Sequence, residues 1–179
     1  MNKFFARIFA VLAVLGLALG AISCNKDNKK NGGVGLWKVD STVDSYCGSS
    51  ELYHAWYYYD EENDGYDIWF SPEDNLADLI GANYAYVDMP GKFCGEDRDL
   101  TNDLSTEDWT FFCGTKTFEI YGNTEITKGK VFLSVNLKKN SIVFRLSGTS
   151  SHGGAESDRK IEYVGNAKRL DHPVDPRII

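Results

Sequence analysis

The feature that most constrains this fold is a two-residue alternation in the second half of the chain. Val131, Leu133, Val135 and Leu137, then Ile142, Phe144 and Leu146, are apolar at every second position. Phe118 and Ile120 repeat the pattern upstream. Successive side chains of a strand point to opposite faces, so such runs bury one face as strands and have the wrong period for a helix. Lys138-Lys139-Asn140-Ser141 reads as the turn between the last two runs. Ile161, Tyr163 and Ala167 mark a final strand, Leu170 closes the domain, and the tail with Pro173 and Pro176 is irregular.

The first half carries the same architecture in a less regular form. Gly35 to Tyr46 reads as a first strand with Trp37, Val39 and Val43 inward. Tyr53 to Tyr59 and Tyr66 to Phe70 flank Asn63-Asp64-Gly65, a hairpin signal in which Gly takes positive φ at no steric cost. Ser71-Pro72-Glu73-Asp74 has the N-cap and first-turn proline of a short helix, with Leu76, Leu79 and Ile80 inward and Gly81 as its stop. Tyr84 to Met89 is another strand, and Pro90 to Asp108 has no usable period. Eight to ten strands with one short helix define an all-β class, either an antiparallel up-and-down barrel or a β-sandwich.

The N-terminus has a different composition. Lys3 and Arg7 precede an uncharged apolar stretch from Ile8 to Ile22, and the small residues Ala21 and Ser23 stand just before Cys24. This is the order of a secretory signal peptide, and the apolar run is short of the roughly 20 residues of a membrane span. The segment Ala21-Ile22-Ser23-Cys24 resembles the signal of bacterial lipoproteins, in which the cysteine becomes acylated after cleavage. Ordinary signal peptidase cleavage at the same bond is the alternative. Residues 25–35 are Asn, Lys, Asp and Gly with only Val34 able to join a core, which suits a solvated tether. Lys26-Asp27 resembles the surface-export signals of Bacteroidetes lipoproteins. The expected organisation is a signal over 1–23, a tether over 24–34, a β domain over 35–170 and an irregular tail over 171–179. The expected location is the bacterial outer membrane, on its periplasmic face or at the cell surface, held through Cys24.

Gly35-Leu36-Trp37 at the head of the first strand, followed by successive hairpins, resembles the small lipocalin-like domains of bacterial lipoproteins. That resemblance implies an up-and-down barrel holding a small apolar ligand.

Removing the signal leaves 156 residues, enough for one real core, and moves the net charge from −7 to −9. Such a surface repels nucleic acid and anionic lipid. The charge is uneven: Asp60 to Asp108 holds fifteen acidic residues against Lys92 and Arg98, whereas Trp109 to Ile179 is net basic. The acidic lobe reads as solvated loops, with a basic partner or Ca²⁺ as the alternatives.

Acylation of Cys24 leaves Cys47, Cys94 and Cys113, hence at most one internal disulfide. A bridge between Cys94 and Cys113 is the first expectation, because it would close the charged loop 95–112, with Cys47 left as a buried thiol. Pairing of Cys47 with either partner is the rival. Without acylation two disulfides are possible.

Among candidate sites, Asp60 to Asp67 has the alternate oxygens and sixth-position Gly of a calcium loop, but Ser71 stands where the bidentate Glu belongs. A hairpin turn fits better. Trp56, Tyr58, Tyr66 and Trp69 are the candidate binding residues, since exposed aromatic faces dock sugar rings or a protein partner. Burial of both faces by neighbouring strands is the competing reading. Ser151-His152 places a hydroxyl beside an imidazole, but sequence neighbours on a strand point apart, and no Gly-x-Ser-x-Gly elbow occurs. The three His are scattered and no CxxC occurs. The sequence therefore predicts a non-catalytic envelope protein without cofactor or metal. It binds a small apolar ligand or glycan, or else acts as an interaction subunit of a surface complex through its acidic lobe.

Overall fold

A computed structural model of the chain describes residues 32–40, 51–76, 84–105, 107–115, 118–122, 126–152 and 155–174. Those residues form β1 (Gly33–Asp40), β2 (Glu51–Asp60), β3 (Gly65–Ser71), β4 (Tyr84–Pro90), β5 (Arg98–Asp99) and β6 (Thr110–Thr115). After them come β7 (Phe118–Gly122), β8 (Ile126–Asn136), β9 (Ser141–His152), β10 (Ala155–Asn166) and β11 (Lys168–Arg169). One sheet contains them all, in the order β5-β8-β9-β10-β1-β2-β3-β4-β6-β7. All pairs are antiparallel except β11, which runs parallel to β2 through Lys168↔Trp56 and Arg169↔Tyr57.

Apart from β5, which pairs β8, the strands run as two up-and-down meanders, β1 to β7 and β8 to β10, joined where the first strand lies beside the last long one. β1 pairs β10 from Gly35↔Gly165 to Asp40↔Lys160. Ring contacts show how far the sheet bends. Phe111 on β6 and Phe144 on β9 are six strand steps apart, roughly 29 Å in a flat sheet at about 4.8 Å per strand. Their ring centroids are 5.7 Å apart. The sheet therefore curls strongly on itself as a half-barrel.

The inner face is filled with rings. Trp37 stacks on Tyr53 at 5.1 Å, and Phe70 lies 5.3 Å from Trp37, 4.7 Å from Tyr163 and 5.8 Å from Phe144. All six rings of this set, with Phe111, are essentially inaccessible to solvent. Glycines admit this packing. A Cβ at Gly35 would stand 2.4 Å from Tyr163 Cζ, and one at Gly165 would stand 2.1 Å from Gly35 Cα. Gly35 thus makes room for Tyr163, while Trp37 two positions on enters the core on the same face.

The outer face divides in two. Over β2, β3 and β4 a second cluster of Trp56, Trp69 and Tyr84 is packed by Tyr86, Phe112, Leu76, Leu170 and Val174. Over β8, β9, β10 and β1 the outward positions are polar or charged, apart from Val34, Phe132 and the row Leu36, Val164 and Val143.

Several expectations change. β1 begins two residues earlier than the spacing predicts, and Val43, Cys47, Leu79, Ile80 and Gly81 lie outside the described residues. In the β2–β3 turn the left-handed residue is Asp64 (φ 48°), not Gly65. Asp tolerates that region, and Gly65 is free to begin the strand. Residues 72–75 are bent chain rather than a first helical turn, although Ser71 Oγ accepts the Glu73 N–H at 3.1 Å as an N-cap does. Leu137 falls in the β8–β9 turn and is exposed.

The expected Cys94–Cys113 bridge is not formed. Cys94 is a free thiol whose S–H lies 3.7 Å from the Pro90 carbonyl, and burial pushes it up to about 12. Cys113 is disulfide-bonded, to a partner outside the described residues. The loop between them has other support. Gly95 N–H donates to the Leu133 carbonyl at 2.7 Å and Leu100 N–H to the Gly129 carbonyl at 2.9 Å, so the loop is pinned along the edge of β8. Leu104 and Trp109 anchor it in the core.

Candidate functional site

The β2–β3 hairpin places its aromatic side chains by strand parity. Tyr57, Tyr59 and Tyr66 turn inward, where Tyr59 and Tyr66 stack at 4.8 Å. Trp56, Tyr58 and Trp69 turn outward. The four candidate residues are therefore not one surface, since Tyr66 lies across the sheet from the other three. Trp56 and Trp69 face each other in register and are 2% and 0% exposed. The indole Nε1 of Trp69 is buried with no acceptor among the described residues. Leu76, Leu170 and Val174 pack against the cluster they form, and neither ring is open to a ligand from solvent.

What remains open is the rim of that cluster. Tyr58 and Tyr86 are half-buried. Beside them lie two carboxylates in the cross-strand row of Tyr58: Tyr58 opposes Asp67, Asp67 opposes Asp88, and Asp88 opposes Thr110, with Tyr86 in the next row. The Tyr86 hydroxyl donates to Asp67 Oδ1. Partial burial raises the Asp67 carboxyl above its ordinary range, against the lowering effect of the Tyr86 bond, and Asp60 adds to the rise. Partial burial and then the charge of Asp67 raise Asp88. Two tyrosine rings beside carboxylate acceptors can present a stacking face and hydrogen-bond acceptors to a hydroxylated ring. Sequence reasoning missed Asp67, Asp88 and Tyr86, although the period of β3 and β4 already sets the two acids on one face.

The raised carboxyls make a testable pair. Like charges directly opposite on a sheet cost a few tenths of a kcal/mol or more. A folded-state value above the unfolded one means that the fold prefers the protonated form. That penalty is present above the raised value and vanishes below the unfolded one. Asp88→Asn is accordingly expected to raise the melting temperature at pH 7, with the gap to wild type closing as pH falls towards about 4. Thermal melts of both proteins across that range check it, and a gap that does not change with pH would remove the carboxyl pair as its cause.

The other residues singled out by sequence take structural roles. Asp60 Oδ1 accepts the N–H groups of Glu62 and Asn63 at 2.9 and 3.2 Å, and Asp64 Oδ1 accepts the Tyr59 hydroxyl at 3.0 Å. The calcium-like spacing is therefore spent on capping the turn. No group of three or more His, Cys, Asp and Glu gathers as a metal site among the described residues. The side chains of Ser151 and His152 lie outside those residues. Compared with known protein families, curated proteins and solved structures, the chain matches none.

Proposed function

We propose that this chain is an exported, non-catalytic cell-envelope lipoprotein, held at the outer membrane through an acylated Cys24, whose barrel meets a glycan on its outer surface. The observation that carries the binding part is the filled interior. Phe70 touches Trp37, Phe144 and Tyr163 from three other strands, so the space in which a barrel holds a small apolar ligand is taken by side chains. Binding then belongs outside, and the Tyr58, Tyr86, Asp67 and Asp88 rim supplies ring faces and acceptors for sugar hydroxyls. The same two carboxylates favour a second reading, an interaction subunit that docks a basic protein partner on the acidic lobe.

The anchor reading rests on the signal-like N-terminus and the position of Cys24. Cell fractionation with a labelled fatty acid tests it. Wild-type protein is expected to sediment with membranes and carry label, and Cys24→Ser to do neither; equal soluble fractions for both would end the lipoprotein claim. A glycan array probed with the mature protein and with Tyr58→Ala tests the binding surface. Retention by wild type that drops in the variant supports the glycan reading, whereas a blank array with capture of a basic envelope protein supports the second.

A further inference from the structure

A second surface, on another part of the sheet, gathers the cations that the acidic rim lacks. The outer face of β8, β9 and β10 carries a cleft of about 330 Å³ lined by Asp97, Lys130, Arg145, Ser147, Lys160 and Glu162. Three cations thus face two carboxylates, on a chain whose net charge is −7.

Backbone register builds this cleft. Lys130 opposes Ser147, and Ser147 opposes Lys160, so the three stand in one cross-strand row. At about 4.8 Å between strands, the two lysine backbones are roughly 10 Å apart with the Ser147 hydroxyl between them. One register step along, Arg145 opposes Phe132 on one side and Glu162 on the other. The wall is the loop carrying Asp97, fixed to β8 by the Gly95–Leu133 and Leu100–Gly129 backbone bonds. The backbone positions of its walls are therefore fixed by main-chain hydrogen bonds.

The charges in the cleft are unequally satisfied. Arg145 lies 3.7 Å from Asp97, and its guanidinium sits 4.2 Å above the Phe132 ring. That stacking orients the planar donor group. Glu162 is paired with Lys38 at 3.8 Å. Lys130 and Lys160 have no ion-pair partner among the described residues. Asp99 opposes Lys130 and Asp40 opposes Lys160 at the two ends of the same row, neither within ion-pair distance, and an anion seated on Ser147 between the lysines would meet both ammonium groups. Ser147, Asp97 and Glu162 add a hydroxyl and carboxylate oxygens that serve ligand hydroxyls rather than a bare ion.

We infer that this cleft binds the carboxylate or phosphate group of a small hydroxylated molecule, an anionic sugar in chemical class. Lys130 and Lys160 hold the anion over Ser147, Arg145 supplies an oriented donor, and Asp97 and Glu162 accept from ring hydroxyls. The site is separate from the tyrosine and carboxylate rim of β2 to β4, and neither needs the other.

Amide resonances of the mature protein, followed during titration with glucuronate, glucose 1-phosphate, glucose and inorganic phosphate, test the assignment. One or both anionic sugars are expected to shift Lys130, Ser147 and Lys160, and glucose to leave them in place. The Lys130→Ala, Lys160→Ala double variant is expected to bind roughly tenfold or more weakly, as loss of charge-assisted contacts implies. Both lysines are exposed, so its melting temperature should match wild type and report an intact fold. No shift with either anionic sugar, or undiminished binding by the double variant, overturns the site. Inorganic phosphate bound as well as glucose 1-phosphate overturns the sugar assignment, because the ring would then contribute nothing.

Discussion

Replacing Phe70 by Ala is expected to cost about 3–5 kcal/mol of folding stability, near the top of the range for a single core truncation. Phe70 is fully buried and stands at the crossing point of the interior rings, with Trp37, Tyr163 and Phe144 within 5.8 Å. These neighbours lie on β1, β10 and β9, strands paired into a curved wall that cannot collapse into the space left behind. Urea unfolding of wild type and variant measures the difference. A loss below about 1 kcal/mol would mean that the interior repacks and is not the rigid ring assembly described above.

Loss of the disulfide at Cys113 is the second large effect. Cys113 is buried on the inner face of β6, opposite Ala85 on β4. Cys113→Ser is expected to cost about 2–5 kcal/mol, the usual range for loss of a native bridge from a small domain. Four cysteines and a free Cys94 leave Cys24 or Cys47 as its partner within the chain. If Cys24 is acylated, only Cys47 remains. Non-reducing peptide mapping should then find Cys113 linked to Cys47, and should find Cys94 alkylated once the protein is unfolded without reductant. A linked Cys94 peptide would contradict the structure, and a Cys24–Cys113 peptide would contradict the anchor. The two results are distinguishable in one digest.

The legible parts of this fold are those in which one face of a strand meets water. β8 and β9 alternate cleanly because Val131, Leu133, Ile142, Phe144 and Leu146 face the core while Lys130, Arg145 and Ser147 face outward. β6 was hidden for the opposite reason. Phe111 packs in the inner core and Phe112 in the outer cluster, so adjacent residues are both apolar and the two-residue period is erased. The same double burial governs the aromatic hairpin. Its parity could be read from Tyr57 and Tyr58, but the cover over Trp56 and Trp69 comes from Leu170 and Val174, more than 100 residues later. Nothing local to the hairpin announces that cover. The cleft was equally invisible, because Lys130, Ser147 and Lys160 meet only through the register of three strands and Asp97 arrives from a loop without any period.

The pairing of β1 with β10 also sets a timetable. Gly33 and the Tyr163 hydroxyl that reaches its carbonyl are separated by 130 residues. During synthesis β1 emerges early and finds β2 at once, yet its other edge waits until nearly the whole domain has followed. Contacts of such long separation slow folding, because the loop must close before they can form. A product cut before Ala155 would lack the strand that covers both β1 and β9, leaving two open edges ready to pair with other chains. If the chain is exported unfolded, as proposed above, it gains from the same arrangement. Its two halves cannot join into one sheet ahead of the last long strand, so the sheet is completed only after that strand has been delivered.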